Sequence, residues 1–286
     1  MTAARETVAI LGVGLLGGSI GLALRSRGLC RRVIGVGRRL ERLQAAVQRG
    51  AVTEISTDLA AAAREAQLIV VCTPVHDVAG FVTDALRDCS PDALVTDVGS
   101  TKSRIVAEVE QWRRANLTTG GHFVGSHPLA GSEKTGVEYA DPDLFVNRAV
   151  IVTPTAETPS DSVDAIAVFW RALGGRVRIM TADEHDDSVA SISHLPHLVA
   201  AVLAAATPTD LLDLVAGGWR DTTRVASGDV ELWRQIFDDN REHVLRRLDH
   251  FHSTLADFRR ALHEQDDAAI RRLLEAGKTI RDAVGN

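Results

Sequence analysis

A histidine in a turn-rich stretch is the first residue with an evident chemical use. His127 lies in "GSHPLAGSEKTGVEYADPDLF" (Gly125–Phe145), where Pro128 and Gly131 work against helix and strand alike. An imidazole titrates near neutral pH, so His127 could take a proton from a substrate hydroxyl while hydride leaves for a nicotinamide. "DVGSTK" (Asp97–Lys102) is the second polar stretch of this kind. Both follow short apolar, strand-like runs, whose C-terminal ends reach the ligand crevice of an open α/β sheet. Ser100, Lys102, Ser126, His127, Ser132, Glu133 and Lys134 should therefore converge, and a hydroxyl such as Ser100 could orient the imidazole. Alone, His127 would read as a hydrogen-bonded loop histidine; beside a nucleotide-binding loop, the catalytic reading is preferred.

That loop is "ILGVGLLGGSIG", with Gly12, Gly14 and Gly17 in GxGxxG spacing. It follows a strand-like run and opens a helix, the context that gives the motif its meaning. Gly12 allows the tight turn, Gly14 lets the backbone approach a pyrophosphate, and Gly17 lets helix and strand pack closely. The helix N-terminus offers free N–H groups to the phosphates. An NAD site usually carries Asp or Glu about 20 residues further on. Here "GVGRRLER" places Gly37 there, followed by Arg38 and Arg39. Guanidinium forks suit a 2′-phosphate, so NADP is favoured. NAD is the alternative, because arginine also stacks on adenine.

Further along, "SHLPHLV" sets His194 and His197 three apart on one helix face, with Pro196 predicting an irregular turn. "GGWRDTTRVASGDVELW" (Gly217–Trp233) adds Arg220, Asp221, Arg224 and Trp233. HxxH raises zinc as a rival, but the zinc-protease pattern needs HExxH and no cysteine lies near, so no metal site is expected.

These groups need elements to hold them. Apolar runs at Thr7–Leu11, Val33–Val36, Leu68–Pro74, Ala93–Gly99, "HFVGSHP", Ala149–Pro154 and Arg176–Met180 read as buried strands. Helical stretches alternate with them: Gly18–Ser26, Leu40–Gln48, Val78–Leu86, Ser103–Arg113 and Ser160–Leu173. That alternation predicts an α/β fold with a parallel, doubly wound sheet covered on both faces. Beyond Met180 only helical periodicity is found, over Asp183–Ala206, Glu231–His263 (in one piece or two) and Asp266–Val284. The expected organisation is a dinucleotide-binding domain over residues 1–181 and an all-α domain over 182–286.

Composition narrows the function classes. The chain has 286 residues, 45% of them hydrophobic, enough for a proper core. A net charge of -6 argues against nucleic acid as a partner. The three cysteines fit no metal spacing and read as reduced thiols. The N-terminus has no secretory h-region, and no apolar run approaches the ~20 residues a membrane helix needs. A cytoplasmic protein without a membrane segment is expected.

Taken together, "GVGLLGGS", "CTPV", "DVGSTK", "GSHPLAGSEKTGVEYADPDLF", "SHLPH" and "GGWRDTTRVASGDVELW", in that order, resemble the prephenate/arogenate dehydrogenases of tyrosine biosynthesis. The resemblance spans Thr7 to at least Trp233. It implies a Rossmann-like domain followed by a helical domain that dimerises, with prephenate or arogenate as the small-molecule substrate. It implies that His127 handles the proton of the ring hydroxyl and that Ser100 contacts the histidine and the nicotinamide. By the same resemblance Arg224 clamps the ring carboxylate, His197 lies near the substrate side chain, and His194 is its neighbour. Gly218, Asp221 and Trp233 match positions near the pocket, within reach of a partner subunit, and Glu133 matches a gating acid. Leu15 and Leu16 of the glycine loop, with Thr73 and Pro74 of "CTPV", fall on the cofactor side. The second histidine of "SHLPH" leans toward prephenate, and no fused mutase or regulatory domain is expected.

Two rivals belong to other classes. A β-hydroxyacid-type dehydrogenase would need a lysine on the first helix of the second domain, and Asp183–Ala206 has none. A nucleotide-sensing binding protein would need neither His127 nor Arg224.

Overall fold

The computed structural model describes residues 5–116, 120–131 and 134–285. Six parallel strands form the first sheet: β1 (Arg5–Leu11), β2 (Cys30–Val36), β3 (Glu54–Ser56), β4 (Leu68–Val71), β5 (Leu94–Asp97) and β6 (His122–Phe123). They lie in the order β3-β2-β1-β4-β5-β6, the doubly wound order of a Rossmann sheet. Between them run α1 (Leu15–Ser26), α2 (Leu40–Gln48), α3 (Leu59–Glu65), α4 (Val75–Asp88) and α5 (Ser103–Ala115). The strands read as unbroken apolar runs because successive side chains enter different cores. Val8 and Ile10 join one, with α1; Ala9 and Leu11 join the other, with α3, α4 and α5. Each fully covered Ile or Val contributes ~1.5–3 kcal/mol of burial.

β3 and α3 fall in a stretch that the strand and helix assignments above pass over. β3 is three residues long, and α3 is seven residues capped by Asp58, whose carboxylate accepts from the N–H of Ala61.

A larger departure concerns "HFVGSHP". It is two strands, not one, and the sheet architecture is not wholly parallel. β6 ends at Phe123, and the chain leaves as β7 (Gly125–Pro128), which pairs antiparallel with β8 (Ala149–Thr153). β8 pairs parallel with β9 (Arg176–Ile179), completing a second, three-stranded sheet. The helix between them, α6 (Ser160–Ala172), packs into the first core through Ile166, Phe169 and Trp170. Side chains at the end of β5 cause the exit. The Thr96 hydroxyl donates to the carbonyl of Val124 (2.7 Å), and the Asp97 carboxylate accepts from the N–H of Ser126 (3.1 Å). The chain around β7 is thus held to β5 by side chains, while its own strand ladder is with β8. A Cβ at Gly125 would lie 2.6 Å from Thr153 Oγ1, so glycine permits the close crossing.

From Ala182 onward the regular elements among the described residues are all helical, the α-helices being α7 (Ala182–Val189), α8 (Leu195–Ala205), α9 (Gly217–Thr223), α10 (Val230–Asp239), α11 (Arg241–His263) and α12 (Asp267–Val284). A capping box opens α7: the Thr181 hydroxyl accepts from the N–H of Glu184, whose carboxylate accepts from the N–H of Thr181. A single π-turn, Ala190–His194, joins α7 to α8, with the N–H of Leu195 donating to the carbonyl of Ala190. Pro196 is the cause, because it has no N–H to continue the regular ladder. The expected break in the long helical segment is real and falls at Asn240. One expectation is corrected. α7, the π-turn and α8 make a continuous 24-residue helix containing an 18-residue window of mean hydropathy 1.5, long and apolar enough by length and composition to cross a membrane. Its polar side chains, however, are tied into the rest of the protein, as described next.

Candidate active site

The site is built on a buried polar frame at the end of β5. Asp97 and Lys102 form an ion pair with both side chains fully buried. The Asp97 carboxylate also accepts from the N–H groups of Gly99 (2.8 Å) and Ser126 (3.1 Å). Losing one partner of such a pair would cost ~3–5 kcal/mol, because the other charge would be stranded. Ser126 belongs to this frame, which corrects its assignment to the substrate. Its buried hydroxyl donates to the Asp97 carbonyl (2.7 Å), accepts from the indole N–H of Trp170 (2.9 Å) and lies 2.7 Å from Thr96 Oγ1. It pins β7 to β5 and leaves the next residue, His127, on the opposite face.

His127 is half-buried, and its Nδ1 lies 2.8 Å from Nε2 of His185. His185 Nδ1 in turn lies 2.7 Å from Asp186 Oδ1. Asp186 accepts from the backbone N–H of Lys102 at Oδ1 and of Ser103 at Oδ2, each at 2.8 Å. Burial pushes the His127 pKa well below its ordinary value, with the neighbouring His185, Lys102 and His194 acting in the same direction. Burial also lowers His185, outweighing the attraction of Asp186. For Asp186, burial works toward a higher value, but hydrogen bonds from His185, Ser103 and Lys102 leave the carboxyl below its usual range. The chain of groups is a carboxylate, then two neutral imidazoles.

The partner of the His127 imidazole is thus His185, not Ser100, whose half-buried side chain makes no hydrogen bond to it. His185 was passed over in the sequence reading. The signal that could have found it is "EHDD" in the first turn of the second domain's first helix, a His–Asp pair beside a capping box.

The helical domain adds a second cluster. His194 Nδ1 lies 3.1 Å from Asn240 Nδ2, which also donates to the Asp186 carbonyl (2.7 Å). Burial pushes His194 down to about 4. His197 stacks on Trp233, rings 3.5 Å apart and 13° from parallel, and burial lowers its pKa too. Gly228 lies against both: a Cβ there would come 2.7 Å from the Trp233 indole nitrogen and 3.2 Å from the His197 ring. Arg224 stands exposed on the helical turn Arg224–Ser227, which packs on α8. Gly218 and Asp221 are exposed on α9, which packs on α8 and on the same turn. Glu133 and Ser132 lie outside the described residues. Exposed Lys134 stands over the Tyr139 ring, 5.1 Å from its centroid.

At the other end of the crevice the glycine loop can be tested atom by atom. Gly12 has φ +91°, and a Cβ there would lie 2.6 Å from the Cys72 carbonyl oxygen. A Cβ on Gly17 would lie 2.2 Å from the Gly12 carbonyl, whereas one on Gly14 would meet nothing within 4 Å. Tight turn, close packing and open approach thus fall on the glycines where a pyrophosphate site needs them. No side chain caps the N-terminus of α1, which begins at Leu15 and Leu16. Thr73 Oγ1 is buried without a partner, next to Pro74 at the start of α4. Arg38 and Arg39 are exposed after β2. These residues fit a dinucleotide.

One grouping with metal-like spacing was not anticipated. His76, Asp238 and Asp239 offer ligand atoms within 4.8 Å of one another. Arg104 already bonds Asp239 (2.7 Å) and Arg241 bonds Asp238, so cations of the protein occupy these carboxylates.

Residues 20–179 match the family model for the prephenate dehydrogenase nucleotide-binding domain, and residues 181–276 the model for its dimerization domain. The chain is 32% identical to a prephenate dehydrogenase of Bacillus subtilis (strain 168), over 99% of this chain and 77% of that protein. Its fold superposes with a TM-score of 0.89 on prephenate dehydrogenase from A. aeolicus in complex with hydroxyphenyl propionate and NAD+, at 30% identity, covering 99% of this chain and 100% of that one. Synechocystis arogenate dehydrogenase gives a TM-score of 0.83 at 31% identity, covering 98% of this chain and 100% of that one.

Proposed function

The chain belongs to the prephenate dehydrogenase family, and from that premise we propose that it converts prephenate to 4-hydroxyphenylpyruvate by oxidative decarboxylation, with NADP preferred over NAD. The observation that carries the reading is His127: a neutral imidazole at the mouth of the nucleotide-binding domain, backed by a second imidazole and a carboxylate.

A bound nicotinamide dinucleotide supplies the acceptor for the hydride from C4 of the substrate ring. The glycine loop and the N-terminus of α1 would hold its pyrophosphate, and the unpartnered hydroxyl of Thr73 would be a further group available to it. His127 accepts the proton of the 4-hydroxyl as C4 becomes a carbonyl carbon. Loss of the ring carboxylate as CO2 then leaves its bonding electrons in the ring, which becomes a phenolate, and His127 returns the proton to the oxygen to give the phenol. Arg224 holds that carboxylate, a task for a bidentate fork. His197, Trp233 and the exposed face of α9 border the substrate side chain, with Ser100 on the nicotinamide side and Glu133 at the entrance.

The NADP preference rests on Arg38 and Arg39 in the absence of a ribose-binding acid at Gly37. We read the protein as a cytoplasmic homodimer. Ile192, Val202, Leu214 and Ile280 on the helical domain are all more than half exposed in one subunit, an apolar surface that a second copy would cover.

The test is an assay of the pure protein with prephenate and with arogenate, each against NADP and NAD, following reduced nicotinamide. Fastest turnover with prephenate and NADP is expected. Preference for arogenate would move the substrate assignment, and no turnover with either would overturn it.

A further inference from the structure

We propose that His185 and Asp186 form a positioning relay that fixes His127 as its Nδ1–H tautomer, making Nε2 the nitrogen that receives the substrate proton. This rests on His127 being the base of the reaction proposed above. The argument runs from the carboxylate outward. An ionised carboxylate can only accept hydrogen bonds. Asp186 Oδ1, 2.7 Å from His185 Nδ1, therefore fixes the His185 proton on Nδ1. A neutral imidazole protonated at Nδ1 has a bare lone pair at Nε2. His185 Nε2 must accept, so His127 Nδ1, 2.8 Å away, must donate. A neutral His127 with its proton on Nδ1 presents a bare Nε2.

The charges around His127 support the same role. Lys102, ion-paired with the buried Asp97, faces it from the end of β5 and acts to keep it neutral. His185 faces it from α7 and His194 from the π-turn, both held toward the neutral form by burial. Asp186 is the carboxylate that the hydrogen bonds through His185 connect to His127. Its carboxylate is held by two backbone N–H groups at the start of α5, so it stays put as His127 gains its proton. The relay also crosses the domain boundary: the base is on β7, its orienting partners on α7. The base is correctly set only while the helical domain is docked.

Two substitutions of His185 separate this role from a merely structural one. Glutamine can place its amide near the Nε2 position, facing His127, with its oxygen accepting from Nδ1–H. Asparagine reaches only the Nδ1 position, keeping the contact to Asp186 and losing the one to His127. His185→Asn is expected to lower kcat by ~10–10²-fold, part of the ~10²–10⁴ that a general base supplies, with KM for NADP unchanged. His185→Gln should recover most of that loss. Nitrogen-15 shifts of the His127 ring, read without substrate, should show Nδ1 protonated and Nε2 bare in the wild type, and a mixture in His185→Asn. A wild-type His127 protonated at Nε2, or an Asn variant as active as the Gln variant, would overturn the relay. The spectrum needs no turnover, so a protein inactive on prephenate that still shows Nδ1–H would fail the functional reading alone.

Discussion

β1 and α12 mark two extremes. In β1, Val8, Ala9 and Ile10 have no solvent exposure at all, because helices cover the sheet on both faces. α12 runs for 18 residues without one buried side chain, and Leu274, Ile280 and Val284 are each at least 60% exposed. Both elements are equally regular. The difference lies in where their apolar surface is satisfied: β1 inside its own domain, α12 outside the single subunit. The nucleotide-binding half thus covers its own apolar surface, whereas the helical half leaves some of it exposed, the surface that the proposed second copy would cover. In the proposed mechanism the chemistry divides in a related way, with the base in the first half and its orienting and substrate-side groups in the second.

The largest effect should come from the first half. His127→Asn should lower kcat by ~10²–10⁴ with cofactor affinity retained; activity within a few-fold of wild type would remove the base from this domain. Because burial holds the His127 pKa below 6.5, the base stays neutral, and kcat level, as pH falls to that value. The loss comes only at lower pH, and a profile already falling at neutral pH would contradict it.

Stability sharpens the contrast. Ile69 is fully buried in β4, and Ile69→Ala should cost ~2–5 kcal/mol at any protein concentration. Ile280→Ala should cost little in dilute monomer and lower the melting temperature only where subunits associate. Thermal scans across a wide dilution range would show both, and a concentration-independent loss at Ile280 would break the comparison.

Arg224→Ala tests the substrate side of the helical half. At ~2–5 kcal/mol for a desolvated charge pair, KM for prephenate should rise ~30-fold or more, with NADP binding untouched. Lysine should restore only part, lacking the fork. An unchanged KM would pass the clamp to Arg220.

The smallest change is expected at Gly37. A Cβ there meets only the Leu43 side chain, at 3.4 Å, so aspartate fits without strain. It should repel a 2′-phosphate and shift the NADP/NAD preference toward NAD by roughly tenfold, about 1.4 kcal/mol. A wild type already far better with NAD would undo the premise.

Legibility follows the range of the forces involved. The alternation of strands and helices was readable because both signals are local periodicities, and the glycine loop because its three roles lie within six residues. The exit of the chain after Phe123 was not, because Thr96 and Asp97 cause it from nearly thirty positions away. His185 was missed for the same reason: within its helix it is an ordinary polar residue, and only folding brings it to His127, 58 positions back. Ser126 was over-read, since a serine beside a catalytic histidine has the same letters whether it faces ligand or core.

The π-turn at Ala190–His194 acts as a phase shifter. An α-helix advances roughly 100° per residue, and a π-turn absorbs one extra residue without turning the helix onward by that amount. The faces of α7 and α8 are therefore set out of step, with His185 aimed at His127 and His197 laid flat on Trp233. Deleting one residue from this turn would let the helix run regularly. His185 and His197 would then both keep their places, whereas straightening the turn without a deletion would swing His197 by about a quarter turn and carry its half of the pocket out of register.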